Sequence, residues 1–145
     1  MDFLPIKETL EENKEFAANP DCEETLQACI DFYRRVGYNP PWICYYAQKD
    51  GVLVGSAAFK GEPVNNKVEI AYGVFPQFRK KGIGSEICKG LVEMALKTSP
   101  KVQITARTLP EKNYSTRILF KNSFYFNKTV VDPEDGEVWE WEYRK

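Results

Sequence analysis

Residues Arg79-Lys80-Lys81-Gly82-Ile83-Gly84-Ser85 constrain this chain more than any other stretch. A strand-like run, Lys67 to Val74, feeds them. A helical pattern, Glu86 to about Lys97, follows them. The first N–H groups of a helix have no internal partner, and the helix dipole puts partial positive charge there. Strand, glycine loop and helix together therefore make an anion site. Gly82 and Gly84 lack Cβ, so an anion can approach the backbone. Arg79, Lys80 and Lys81 add three cations beside it. The expected ligand is large, polyanionic and nucleotide-like.

Two familiar phosphate loops do not fit. A P-loop ends in Gly-Lys-Ser/Thr, whereas Lys80 and Lys81 precede the glycines here. A dinucleotide loop needs a third small residue, and Ile87 stands in that place.

The spacing resembles the pyrophosphate loop of the GNAT superfamily of acyl-CoA N-acetyltransferases, Arg/Gln-x-x-Gly-x-Gly/Ala. Arg79, Gly82 and Gly84 match it. A second stretch, Thr105 to Phe124, resembles the "A-x-T-x-P-E-N-x-x-S-x-R-V/I-L-x-K-x-G-F" segment of the RimJ/RimL-type branch. It departs by one residue between Glu111 and Asn113 and by Ser123 in place of glycine. Val68 to Tyr72 resembles that branch's "E-I-G-Y" strand. Three ordered matches are far more specific than one loop.

The rest of the chain narrows the possibilities. Its 145 residues suit one domain with a real core, here taken as residues 1–145. Net charge is −1, so the basic strip is local and bulk attraction to nucleic acid is unsupported. There is no histidine, which removes Ser-His-Asp, Cys-His and His-ligated zinc chemistry. No metal is expected. The four cysteines form no C-x-x-C, no leader is evident and no run spans a membrane. A cytoplasmic protein with reduced thiols is expected.

Element order follows from periodicity. Residues 22–36 read as a helix. Ile43 to Gln48 and Val52 to Lys60 read as a hairpin across Asp50-Gly51. Residues 67–75 form the next strand, with Val68, Ile70, Tyr72 and Val74 on one face. After the glycine helix come a strand at 102–106, a helix from Tyr114 to about Asn122 capped by Asn113, and a hairpin, Phe124 to Val131 with Val138 to Arg144. Phe3 to Ile6 is a weak candidate for a first strand. Helices, meander, helix, strand, helix and hairpin make an α/β (α+β) fold with a mixed, mostly antiparallel twisted sheet flanked by helices. The resemblance adds a splayed strand pair that holds the acyl-CoA.

The resemblance also implies roles. The N–H groups from Lys80 to Ser85, through Gly82, Ile83 and Gly84, would take the pyrophosphate of acetyl-CoA, with Arg79 and Lys81. The pantetheine would lie where the strand ending at Val74 splays from the 102–106 strand, with Val74 or Phe75 N–H on the thioester oxygen. Glu69, a carboxylate inside an apolar strand, is the candidate base; an ion-paired surface glutamate is the plainer alternative. The tyrosine with which many relatives protonate the thiolate is replaced by Leu119, which leaves Ser115 and Tyr114. Asn113 either caps its helix or binds pantetheine. The acceptor would enter over Trp42, Tyr45 and Phe59, residues that an all-core reading also fits.

The expected reaction is attack by a primary amine, a peptide N-terminus or a small molecule, on the thioester. At pH 7 an α-amine is about 14% neutral and a lysine about 0.04%, a difference of about 3.4 kcal/mol. Without the tyrosine acid, a weakly basic amine is the easier acceptor. A protein that binds acyl-CoA without turning it over is the alternative. Either a monomer or a homodimer is compatible with the sequence.

Overall fold

The computed structural model describes residues 1–145. Strands β1 (Asp2–Pro5), β2 (Cys44–Lys49), β3 (Val52–Phe59), β4 (Lys67–Val74), β5 (Gln103–Thr108), β6 (Phe124–Asp132) and β7 (Gly136–Tyr143) form one sheet. Helices α1 (Lys14–Ala17), α2 (Glu23–Val36), α3 (Ile83–Thr98) and α4 (Tyr114–Lys121) connect and cover it. The sheet order is β1-β2-β3-β4-β5-β7-β6. Every neighbouring pair is antiparallel except β4 and β5. The expected α/β class and mixed sheet are therefore both present.

Alternation sorts the strands into two faces. Tyr46 of β2 donates or accepts a 2.7 Å bond with Thr25 of α2. Its row continues through Ser56 and Gly73, so these positions face α2. A methyl on Gly55 would lie 3.1 Å from Ile87 of α3, and Gly55 pairs with Val74. That row and those of Tyr45–Ala57–Tyr72 and Phe59–Ile70 face α3.

The core fills both interfaces. Helix α3 buries Ile83, Ile87, Leu91 and Ala95 as one stripe, with Cys88 beside them. Ile83, Ile87 and Leu91 each contribute about 1.5–3 kcal/mol by leaving water. Helix α2 buries Leu26, Ile30 and Tyr33, and the Tyr33 hydroxyl donates to the Ile6 carbonyl while accepting from the Cys44 N–H. All four cysteines are free thiols.

Several boundaries differ from those expected. The weak Phe3–Ile6 candidate is a real edge strand, held by four paired residues of β2. Helix α3 starts at Ile83, three residues early, because Gly82 at φ 77° ends the loop and acts as its N-cap. Glu86 accepts a cross-element bond of 2.6 Å from Lys49. On β7, Trp141 is core, and Glu140 and Glu142 on the other face are equally buried.

The closest backbone approach in the sheet is at Gly55, where a methyl would sit 2.2 Å from the Gly73 carbonyl oxygen. No side-chain motion relieves a clash with backbone. Gly55→Ala is expected to cost about 1–3 kcal/mol and to lower the melting temperature by about 3–10 °C in a thermal scan.

Candidate active site

Strands β4 and β5 pair over only four residues, from Lys67–Gln103 to Ile70–Ala106, and then part. Beyond Ile70, one edge of β4 has no strand beside it. Hydrogen-bond direction alternates along a strand. Phe75 N–H donates to the Val54 carbonyl, and the Glu69 carbonyl accepts from Lys60 N–H, so the odd-numbered residues of β4 point towards β3. Tyr72 and Val74 therefore present their N–H groups to the gap. This corrects the expectation for Phe75: its N–H is spent in the ladder, and its ring is buried against Tyr46. Val74 and Tyr72 both line the gap.

On the α3 side the gap opens into a cleft of about 520 Å³. Tyr72, Gly73 and Val74 form one wall, and Arg79, Lys80, Ile83 and Gly84 another. Tyr114, Ser115, Arg117 and Ile118 of α4 close it. The structure thus gathers Val74, Arg79, Lys80, Ile83 and Gly84, half of the expected cofactor residues, and both hydroxyl candidates around one space. Lys80 (φ 64°) and Gly82 (φ 77°) both take the left-handed conformation, which turns successive N–H groups inward as an anion nest. The free N–H groups at the start of α3 continue it.

Three residues of the loop have different work. The Lys81 ammonium lies over the Phe78 ring at 5.9 Å, outside the cleft lining. The Ser85 hydroxyl accepts from the Asn122 amide at 3.0 Å and ties α3 to α4. Gly84 is buried, and a methyl there would meet Ile118 at 2.8 Å and Val74 at 3.4 Å. Its bareness lets α3, α4 and β4 converge, in addition to opening the loop. Tyr72 packs against Cys88; burial first, then that thiol, raises its phenol far above the usual range, so it stays neutral.

Asn113 is a helix cap. Its Oδ1 accepts from Thr116 N–H at 3.1 Å, and Thr116 Oγ1 accepts from Asn113 N–H at 2.9 Å, a complete capping box.

Glu69 lies on the opposite, α2-facing side of the split. Its side chain is 22% exposed, 3.5 Å from Arg107 Nε and 3.8 Å from Lys60 Nζ. Arg107 also reaches Asp132 at 3.0 Å. Burial pushes the Glu69 carboxyl above its ordinary value. Lys60 and Arg107 pull it back, while Asp132 and Glu140 add to the rise. Arg107 was missed by sequence reasoning; the signal for it was the parallel register that sets β5 beside β4.

Of the expected acceptor residues, Tyr45 and Phe59 contribute to the lining of a groove between α2 and the sheet, and Trp42 packs beside Phe59. Phe59 is fully buried, with Trp42 packed edge-on at 5.1 Å. Tyr45 is buried, its hydroxyl donating to the Pro41 carbonyl at 2.7 Å. Alternation sends the Tyr45 and Phe59 side chains to the α3 side, away from Glu69. All three are core or packed on it. Asn113→Ala, which removes the cap, is expected to cost about 1 kcal/mol and about 3 °C by scanning calorimetry.

The model of the acetyltransferase (GNAT) domain family matches residues 2–124. No curated protein matches the chain's sequence. Among solved structures, RimL, a ribosomal L7/L12 α-N-protein acetyltransferase in complex with coenzyme A, superposes with a TM-score of 0.70. It is 16% identical over 97% of this chain and 91% of its own. A spermidine N-acetyltransferase SpeG chimera from Vibrio cholerae and hSSAT reaches 0.70 at 10% identity, covering 99% of this chain and 95% of its own. The aminoglycoside acetyltransferase AAC(6')-Ib, in complex with coenzyme A and kanamycin, reaches 0.61 at 23% identity over 69% and 64%. These likenesses establish the fold, and the family match, covering most of the chain, identifies this protein as a member of the GNAT acetyltransferase domain family.

Proposed function

We propose that residues 1–145 act as one domain that transfers the acetyl group of acetyl-CoA to a primary amine by direct attack on the thioester. The observation that carries this is the parting of β4 from β5 beside the nest that opens α3. The N–H groups from Gly82 to Ser85, with Arg79 and Lys80, hold the pyrophosphate. The free edge of β4 from Tyr72 to Val74 pairs with the pantetheine amides as a missing strand would. The Tyr72 and Val74 N–H groups stabilise negative charge on the thioester oxygen.

Glu69 removes the amine proton from the α2 side of the split. Its raised carboxyl pKa suits that task, because a base nearer neutrality accepts a proton more readily. Arg107 and Lys60 keep enough of it ionised. Tyr114 and Ser115, in the cleft wall, serve the departing thiolate. The free thiols suit the reducing cytoplasm.

Charge-assisted contacts contribute about 1.5–3 kcal/mol each, so Arg79→Ala is expected to weaken acetyl-CoA binding about 10- to 100-fold in calorimetry. Unchanged affinity would remove Arg79 from the site.

The pH profile tests Glu69. The acid limb of kcat/KM is expected above the ordinary glutamate value of about 4.3. A positive neighbour favours the carboxylate, so Arg107→Gln is expected to move that limb upward. Glu69→Gln is expected to lower kcat by about 10²–10⁴ with acetyl-CoA affinity unchanged, leaving a residual rate that rises with pH as neutral amine accumulates. Retained turnover in that variant would place the base elsewhere.

A further inference from the structure

The α2-facing side of the split carries a slot that the transfer chemistry does not use. Thr25, Ala28, Cys29, Phe32 and Arg35 recur at helical spacing as a stripe beside the core stripe of α2. Below them lie Ser56, Ala58 and Ala71 of the sheet. These small side chains leave a slot of about 310 Å³ between helix and strands, at the lower end for a small-molecule site. Ser56 pairs with Gly73 and Ala58 with Ala71, so its floor is the same half of β4 that lines the split. Lys60 stands at one end, holding Glu69. Arg35, stacked on Phe32 at 5.5 Å, reaches Glu134 of the β6–β7 turn at 3.9 Å and closes the outer end.

The charges around this slot are already matched. Glu134 faces Arg35, and Glu69 faces both Lys60 and Arg107. An acceptor carrying a second ammonium group meets no free carboxylate there and meets Lys60 and Arg35 instead. Between the hydroxyls of Thr25 and Ser56 the walls are mainly alanines, cysteine thiols and a phenyl ring, which reward apolar carbon. An amine drawn into such surroundings also loses its proton more easily, because burial disfavours the charged form.

We infer that the acceptor is a monoamine whose nitrogen is borne on an apolar group that fills the slot between α2 and β3–β4, with the nitrogen directed at Glu69. This rests on the acetyl-transfer reading and specifies the substrate class of that same site. An alkyl- or arylalkylamine and a peptide α-amine with an apolar first residue share this chemistry.

The test is thiol release from acetyl-CoA by the whole protein, with n-alkylamines from methyl to hexyl, phenylethylamine, short peptides beginning with alanine or leucine, spermidine and kanamycin. The expected result is a kcat/KM that rises about fourfold per added methylene until the slot is full. The two polycations are expected at least tenfold below hexylamine. The peptide arm against the alkylamine arm tells which source carries the apolar group. Ala58→Leu on the floor and Ala28→Leu on the helix fill the slot independently. In whichever of them melts as the wild type, the hexylamine-to-methylamine ratio of kcat/KM is expected to fall at least tenfold. A flat alkyl series, a ratio unchanged in both variants, or a preference for spermidine or kanamycin would overturn this inference and leave acetyl transfer standing. Failure of every amine to release thiol, in protein that binds acetyl-CoA, would overturn the transfer reading and this inference with it.

Discussion

One pairing sets the rest of the molecule: β4 and β5 run parallel in an otherwise antiparallel sheet, and do so for only four residues. A parallel pair needs a crossover, and α3 supplies it. The crossover must leave from the C-terminal end of β4, so the N-terminus of α3 comes to rest beside the point where the strands separate. Twist alone would widen such a gap. On one face Gly84 lets Ile118 of α4 approach α3 beside the gap, and on the other Arg107 reaches across to Glu69. The left-handed turn before α3, the free β4 edge and the place of Glu69 beside the split are thus three consequences of one short ladder.

The two faces of the split differ in chemistry. The α3 side is backbone-rich: N–H groups of the nest and of β4, with few charged side chains in contact with one another. The α2 side is side-chain-rich: Lys60, Glu69, Arg107 and Asp132 form a connected set, with Glu140 and Glu142 buried beyond it. Glu140 accepts from Asn127 and Glu142 from Tyr125, while one Glu142 oxygen has no partner. On the reading proposed above, a sheet that separates dipoles from ions would also separate recognition of a polyanion from handling of a proton.

Much of this was legible from residues alone. The loop spacing, the helix that follows it, the four-residue alternation on β4 and the Asn113 cap all depend on local sequence, and all stand in the structure. What failed was long-range. Tyr45 and Phe59 alternate as a strand should, but nothing nearby states which layer covers which face. Phe75 looked free because strand ends usually are; its N–H was claimed by Val54, a residue in another strand. Arg107 reaches Glu69 across the parallel register, which no spacing within β5 announces. The first strand was weak in sequence because four residues carry little periodicity, and it is held instead by its neighbour β2.

That first strand also does more than extend the sheet. The Phe3 ring presses on α3 where Gly90 has no side chain; a methyl there would lie 2.5 Å from the ring. Phe3 also packs on Tyr45, with ring centroids 6.2 Å apart. The first turn of α3 carries the anion nest, and its middle is clamped by the third residue of the chain. The start of the polypeptide therefore seats the middle of the same helix whose first turn lies beside the split, and the bare Gly90 is what lets the edge strand reach it.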